Sequence, residues 1–115
     1  MKDMESKVHD AMYRQIQSRG YAAPVDVLMD IGVLEKKKYD DWRAGRVPFL
    51  EAVCTANLHK LSEMMKEVRS YAAKNGLKPS VSSYKHKGKQ LRFSKTGNPK
   101  IEEAYATHYV IEEKG

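Results

Sequence analysis

The spacing of apolar residues along the chain changes at Gly76, from a helical period to an alternating one. Before Gly76, the first predicted helix covers residues 3–19 and stops at Gly20, because one apolar residue recurs every four positions: Met4, Val8, Met12 and Ile16. We expect this N-terminal segment, residues 1–20, to pack on the rest of the domain. The alternative is an oligomerisation arm.

Two shorter helices are predicted at the start of a helical unit that spans residues 24–76. Ala23-Pro24 precedes the segment VDVLMDI, and a second helix follows over residues 35–44. Gly32 lies between the two, and Gly45 ends the second. This order of helix, glycine turn and helix has a helix-turn-helix-like outline, although any two helices joined by a glycine turn would satisfy it.

The longest predicted element is one central helix over residues 48–75. Pro48 suits the first helical position, and Gly76 suits the position just after the end. Such a helix would be roughly 40 Å long and would act as the scaffold of the fold. Its apolar face follows alternating steps of four and three: Leu50, Cys54, Asn57, Leu61, Met64, Val68 and Tyr71.

Beyond Gly76 the pattern predicts strands. Residues 81–86 and 89–94 alternate around Lys87-Gly88 and indicate a β-hairpin, while IEEAYA indicates one or two helical turns. Residues 107–111 favour a third strand. The predicted fold is therefore α+β in a single domain, residues 1–115: helices, then a three-stranded antiparallel sheet over 80–111 whose apolar face lies against the long helix. That face is formed by Leu91, Phe93, and Tyr109 or Val110.

Composition narrows the class of protein. The chain has 115 residues, of which 41% are hydrophobic and 31% charged, as expected for one folded domain. It has no apolar run of about 18 residues, and its N-terminus has no apolar signal core, so we expect neither a membrane partner nor secretion. Cys54 is the single cysteine, which excludes an internal disulfide and favours the cytoplasm.

The net charge of +6 is concentrated in one stretch, residues 77–100, which holds seven Lys or Arg and no acid. A local excess of this kind attracts phosphate backbones. We therefore predict a small nucleic-acid-binding protein, with a regulatory role as one option, that uses a basic hairpin to bind DNA or RNA. The predicted phosphate contacts are Lys85, Lys87, Lys89, Arg92 and Lys95, with Arg43 and Arg46 as second contacts. Hydroxyls and backbone amides at 94–97 would assist them.

Other interpretations of the same residues stay open. The lysines could simply protect an exposed sheet edge from aggregation. The principal alternative function is a non-enzymatic interaction module that forms a homodimer through its long or N-terminal helix. A less favoured hypothesis is an enzyme that acts on phosphate esters through His86 or His108 together with Arg92.

No cofactor or metal is predicted. The sequence contains neither of the glycine-rich phosphate-binding motifs G-x-x-x-x-G-K-[ST] and G-x-G-x-x-G, and no pair of histidines has a metal-binding spacing. Trp42 is expected to anchor its helix to the core, and Cys54 is expected to be a buried apolar residue.

Two segments carry a resemblance. DDWRAGRVPFLE (40–51) and LRFSKTGNPKIEEAYATHYV (91–110) resemble patterns in small bacterial proteins of uncharacterised function. The resemblance covers roughly residues 21–111 and implies a bacterial, cytoplasmic origin. Separately, WRAGRVP is similar to the second helix and exit of excisionase-type DNA-binding domains. The predicted long helix after Pro48 departs from that pattern, since such domains turn there into a wing.

Overall fold

The computed structural model of the protein describes residues 3–111, which form five helices and five short strands. The α+β class is confirmed. The helices are α1 (Met4–Arg19), α2 (Pro24–Asp30), α3 (Lys36–Arg43), α4 (Leu58–Lys74) and α5 (Pro99–Ala106), with a 3₁₀ turn at Leu50–Val53. The strands are β1 (Tyr21–Ala22), β2 (Lys78–Val81), β3 (Lys85–His86), β4 (Lys89–Gln90) and β5 (Thr107–Val110).

The first helix begins and ends where the sequence predicts. The Asp3 carboxylate accepts a hydrogen bond from the Ser6 amide at 2.9 Å, which caps the N-terminus. Gly20 ends the helix in the left-handed conformation, with φ of 79°. The apolar face packs on α4 inside the domain, and its fully buried members are Val8, Ala11 and Met12.

The predicted 28-residue central helix is wrong in its first third. The chain instead makes the 3₁₀ turn Leu50–Val53, returns to an extended conformation at Cys54, and starts α4 only at Leu58. Asn57 provides the reason for this start, because its side chain accepts a hydrogen bond from the Lys60 amide at 2.8 Å and caps the helix. With 17 residues, α4 is about 26 Å long.

Tertiary hydrogen bonds hold the segment before α4 out of a helix. The amides of Leu50 and Glu51 donate to the carbonyls of Arg92 and Phe93, at 3.1 and 2.9 Å. The Thr55 amide donates to the Val33 carbonyl at 2.8 Å. These partners lie far away in sequence, so a local apolar period could not reveal them. No helix within residues 3–111 has the length and apolarity to cross a membrane.

A three-stranded antiparallel sheet is present, but its strands differ from the predicted ones. The order is β1-β5-β2, so the C-terminal strand lies in the centre and the basic hairpin belongs to a separate two-stranded sheet, β3-β4. The Ser82 amide donates to the Ala106 carbonyl at 2.9 Å. Because bonded positions alternate along an antiparallel pair, the nitrogen of Pro79 faces the open edge of β2, where a missing N–H does no harm.

The segment after the hairpin closes an aromatic core. The Leu91 amide donates to the Tyr84 carbonyl at 2.8 Å, and the chain then runs without regular structure through Ser94. The Phe93 ring lies between those of Trp42, at 5.1 Å, and Tyr105, at 5.6 Å between centroids. As predicted, Leu91 and Phe93 are buried, and Trp42 anchors α3 with no exposed surface.

Candidate nucleic-acid interface

The basic hairpin has the tight turn that its sequence predicts. Lys87 and Gly88 both have positive φ, 51° and 80°, which defines a type I′ turn between paired strands. The side chains of Lys85, Lys87 and Lys89 are exposed, and none forms an ion pair with any residue in 3–111. Three positive charges without an ion-pair partner in the described part of the chain therefore lie in a five-residue segment, 85–89, that contains a well-defined turn.

The end of α3 packs directly against this hairpin. A methyl group built on Gly45 would lie 3.0 Å from Cδ2 of His86, so the backbone after α3 touches the His86 ring. His86 pairs with Lys89 across the strands, and paired residues lie on one face of a hairpin. Lys89 therefore lies on the face directed toward the end of α3, whereas Lys85 pairs with Gln90 and lies on the other.

Arg43 and Arg46 flank this contact in different ways. The Arg43 guanidinium lies over the Tyr84 ring, 5.0 Å from its centroid, and its Nη1 atom is buried without a hydrogen-bond partner among residues 3–111. Arg46 is 72% exposed and forms an ion pair with Asp41 at 3.2 Å. An exposed pair of this kind contributes little stability, so Arg46 can exchange Asp41 for another anion.

Arg92 and Lys95 lie in the loop that follows the hairpin. The Arg92 guanidinium donates to the carbonyl of Ser94 at 2.8 Å and to that of Lys95, and it lies over the Phe49 ring. These contacts fix the orientation of Arg92. The Lys95 side chain is exposed, while its backbone amide donates to the Glu51 carboxylate at 2.8 Å.

Several polar groups of this loop bind carboxylates of the same chain, so these groups are already engaged and do not assist phosphate binding as expected. Glu102 accepts hydrogen bonds from the amides of Phe93 and Ser94 and from the Ser94 hydroxyl, at 2.9, 2.6 and 2.5 Å. The Gly97 amide donates to the Ser94 hydroxyl at 3.0 Å. Sequence reasoning missed these roles of Glu51 and Glu102, since no local pattern places either acid beside the loop.

The two segments that carry the resemblance, 40–51 and 91–110, bind each other. The indole N–H of Trp42 donates to the Arg92 carbonyl at 2.8 Å. The Glu51 carboxylate also accepts a hydrogen bond from the Tyr105 hydroxyl at 2.7 Å, and burial together with this bond raises the pKa of Tyr105. Trp42, Glu51 and Tyr105 of the two patterns therefore have a structural role, since they hold the two segments together.

His108 belongs to a cluster apart from the other residues of the phosphate-ester hypothesis. Its Nε2 is 2.8 Å from the Tyr84 hydroxyl, and its ring stacks on Tyr21 at 5.4 Å. Burial lowers the pKa of His108 and raises that of Tyr84, so burial favours the neutral form of both partners of this hydrogen bond. His86 instead contacts Gly45 and Arg92 binds loop carbonyls, so the structure places these three side chains in separate environments.

Cys54 is half-buried rather than fully buried, and its thiol donates to the Leu50 carbonyl at 3.5 Å. Burial, followed by the nearby Glu51 carboxylate, raises the pKa of Cys54 to about 12. The residue is therefore an inert thiol at neutral pH.

A groove of about 590 Å³ lies between α4, α5 and the edge strand β2. Its apolar lining includes Met65, Tyr109 and the exposed side chains of Leu58 and Ile101. Of the Lys and Arg residues in the basic stretch, Lys100 borders this groove and the hairpin lysines do not. The groove is thus distinct from the basic surface.

The apolar faces proposed for a homodimer are used within the domain. Val8 and Met12 of α1 are fully buried, and Leu61 and Val68 of α4 are 1% exposed. A homodimer would need other surfaces of these helices, and it stays a prediction.

Comparison with known protein families, with curated proteins and with solved structures found no match to this chain. The resemblance to small bacterial proteins therefore stays a prediction.

Proposed function

We propose that the protein binds nucleic acid through a basic face made of Lys85, Lys87 and Lys89 on the hairpin with Arg43 and Arg46 at the end of α3. The observation that carries this proposal is the contact between Gly45 and His86, since a Cβ placed on the glycine would lie 3.0 Å from the ring. This contact joins the end of α3 to the hairpin, although some forty residues separate them in sequence, and it supports a single binding surface for the two groups of basic residues.

Electrostatics supports a phosphate backbone as the partner. The hairpin lysines have no acidic partner among the described residues, so their charge is available to an incoming anion. Arg46 can leave Asp41 for a phosphate, because the exposed Arg46 side chain is surrounded by water, which weakens the ion pair. Lysine contacts of this kind position a nucleic acid without reading its bases.

The rigid turn supports the same role. Both turn residues adopt the left-handed conformation, so Lys87 is held at the tip rather than on a disordered loop. Lys89 pairs with His86 and so lies on the hairpin face whose His86 ring contacts Gly45, the residue before Arg46. A nucleic-acid backbone that wraps around the hairpin tip and continues to the end of α3 would meet four positive charges: Lys85 on one face of the hairpin, Lys87 at the tip, Lys89 on the other face, and then Arg46.

Salt dependence tests this proposal. Four phosphate contacts on duplex DNA predict a slope of about −3.6 in log K against log salt, or roughly a 150-fold loss of affinity between 50 and 200 mM. Fluorescence anisotropy with labelled duplex DNA, single-stranded DNA and RNA would measure it. No binding to any of the three at 50 mM salt, or a flat salt dependence, would refute the proposal.

A matched pair of variants locates the surface. K85Q/K87Q/K89Q removes three charges from the hairpin, and K60Q/K66Q/K74Q removes three exposed charges from α4. We expect the hairpin variant to lose most of its affinity and about 2.7 units of salt slope, and the α4 variant to retain both. Equal losses in the two variants would show that net charge, rather than this face, attracts the nucleic acid.

A further inference from the structure

A second set of chemically active side chains lies where α1 packs on α4, and the proposed function does not use it. Glu5 and His9 project from successive turns of α1, and Glu67 projects from α4. One carboxylate oxygen of each glutamate and one ring nitrogen of His9 all lie within 4.8 Å of one another. We call these three residues the α1–α4 cluster.

The central nitrogen of this cluster has no hydrogen bond. Nε2 of His9 is buried and unbonded among residues 3–111, although Oε2 of Glu67 is only 3.2 Å away. That contact satisfies the distance of an ion pair but not the direction of a hydrogen bond. The His9 ring packs against Tyr71, with centroids 5.3 Å apart, so a neighbouring aromatic ring supports its orientation toward the carboxylates.

The spacing is compatible with a metal ion, and such an ion would give the unbonded Nε2 atom a partner. In a tetrahedral zinc site with bonds of about 2.0–2.1 Å, neighbouring ligand atoms lie about 3.3 Å apart. The distance from His9 to Glu67, 3.2 Å, is close to that value, and a carboxylate oxygen of Glu5 lies within 4.8 Å of both ligand atoms. One imidazole nitrogen and two carboxylate oxygens are ligands that first-row transition metals accept.

We propose that Glu5, His9 and Glu67 bind a divalent transition-metal ion, with Zn²⁺ as the representative. Three protein ligands leave a fourth position for water. Because the ligands come from two helices, the ion would join α1 to α4 and bind the folded chain in preference to the unfolded one. This inference is independent of the proposed nucleic-acid binding.

The sequence alone could not reveal this site. Glu5 and His9 are four residues apart on one helix, a spacing that places them on the same face, but the third ligand comes from the other helix. His59 and Glu63 have the same four-residue spacing on α4 and lie 2.8 Å apart, with His59 81% exposed. They belong to no three-residue cluster among the described residues and therefore provide an internal control.

Isothermal titration of the untagged, chelator-treated protein with ZnCl₂ tests the proposal. We expect one ion per chain, and affinity weakened at least roughly 10–100-fold in H9Q and E67Q but unchanged in H59Q. The melting temperature of the wild type should rise by roughly 11 °C when free zinc exceeds the dissociation constant a hundredfold. H9Q should show little or no such rise.

Co²⁺ provides a second, spectroscopic measurement, in which the wild-type protein itself reports whether the site binds a metal ion. Wild-type protein loaded with Co²⁺ should show the visible absorption of a low-coordinate site, and E5Q should weaken it. The proposal is overturned if wild-type protein binds neither ion, if H9Q binds zinc as tightly as wild type, or if H59Q loses binding instead. Loss of binding in H9Q and E67Q with retention in H59Q supports it.

Discussion

The carboxylate of Glu102 is the group whose removal tests most directly how the loop after the hairpin is held. Its two oxygens accept three hydrogen bonds, from the Phe93 amide, the Ser94 amide and the Ser94 hydroxyl. Ser94 is 1% exposed, so its donors cannot turn to water when the acceptor is lost. We predict that Glu102→Gln destabilises the fold although it preserves the size and shape of the side chain.

The magnitude follows from the geometry. A glutamine has one oxygen and one NH₂ group, so in either orientation of the amide one backbone N–H faces another donor. A hydrogen bond to a charged acceptor contributes about 1.5–3 kcal/mol, and the surviving bonds weaken once the acceptor is neutral. Since Glu102 is half-buried, we expect a loss near the middle of that range, about 2 kcal/mol. For 115 residues this lowers the melting temperature by roughly 8 °C.

Glu103, the residue after Glu102, offers a matched control. It is exposed, and its carboxylate binds no residue in 3–111, so Glu103→Gln makes the same chemical change without removing a hydrogen bond. Urea unfolding followed by Trp42 fluorescence measures both variants, since Trp42 packs on Phe93. If E102Q lies within about 0.5 kcal/mol of the wild type, or matches E103Q, then these hydrogen bonds do not stabilise the loop and the reasoning fails.

Two further predictions concern the contact between Gly45 and the hairpin and the half-buried His108. Gly45→Ala should lower the free energy of unfolding by about 2 kcal/mol and Gly76→Ala by about 1 kcal/mol, as measured by urea unfolding. Both glycines have positive φ, but only a methyl group at position 45 meets the His86 ring. Equal losses in the two variants would contradict that contact. Burial lowers the pKa of His108, so the unfolded chain binds its proton more readily, and stability should decline as pH falls below about 6.5. His108→Gln should flatten the decline, as urea midpoints at pH 5 and 7 would show.

Most helices were predictable because their signals are local. Asp3 and Gly20 delimit α1 as capping residues do, and the positions of α2 and α3 follow from their glycine boundaries. The central helix failed for the opposite reason. Leu50 and Cys54 continue the apolar period of α4, but the amides of this segment bond to residues 92 and 93 rather than within a helix. An apolar period reports burial on one side and does not report where backbone hydrogen bonds go.

The sheet shows a second limit of sequence patterns. β1 has two residues and β2 is exposed at all four positions, so neither displays the alternation that identifies a half-buried strand. β5 was predictable because it is the central strand, with Thr107 and Tyr109 buried and the residues between them less so. The sequence therefore indicated the strand that forms the core and missed the two that complete its hydrogen bonding.

The sequence indicates which basic residues form the candidate site, but not how they are arranged in the fold. Their basic character is visible in the sequence, whereas the contact between the end of α3 and the hairpin arises from tertiary packing. A straight helix from Pro48 to Asn75 would have separated Arg43 and Arg46 from the hairpin by some 40 Å. The corrected fold removes that separation through the contact between Gly45 and His86.

The same fold also divides the basic residues into two unequal groups. The Lys95 amide binds Glu51 and the Ser94 groups bind Glu102, so two carboxylates lie beneath the loop that carries Lys95. A phosphate approaching Lys95 would feel these negative charges, whereas one approaching Lys87 at the hairpin tip would not meet a carboxylate bound to that turn. If the proposed face binds nucleic acid, Lys87→Gln should therefore weaken binding more than Lys95→Gln at equal salt, although both changes remove one charge from the same basic stretch.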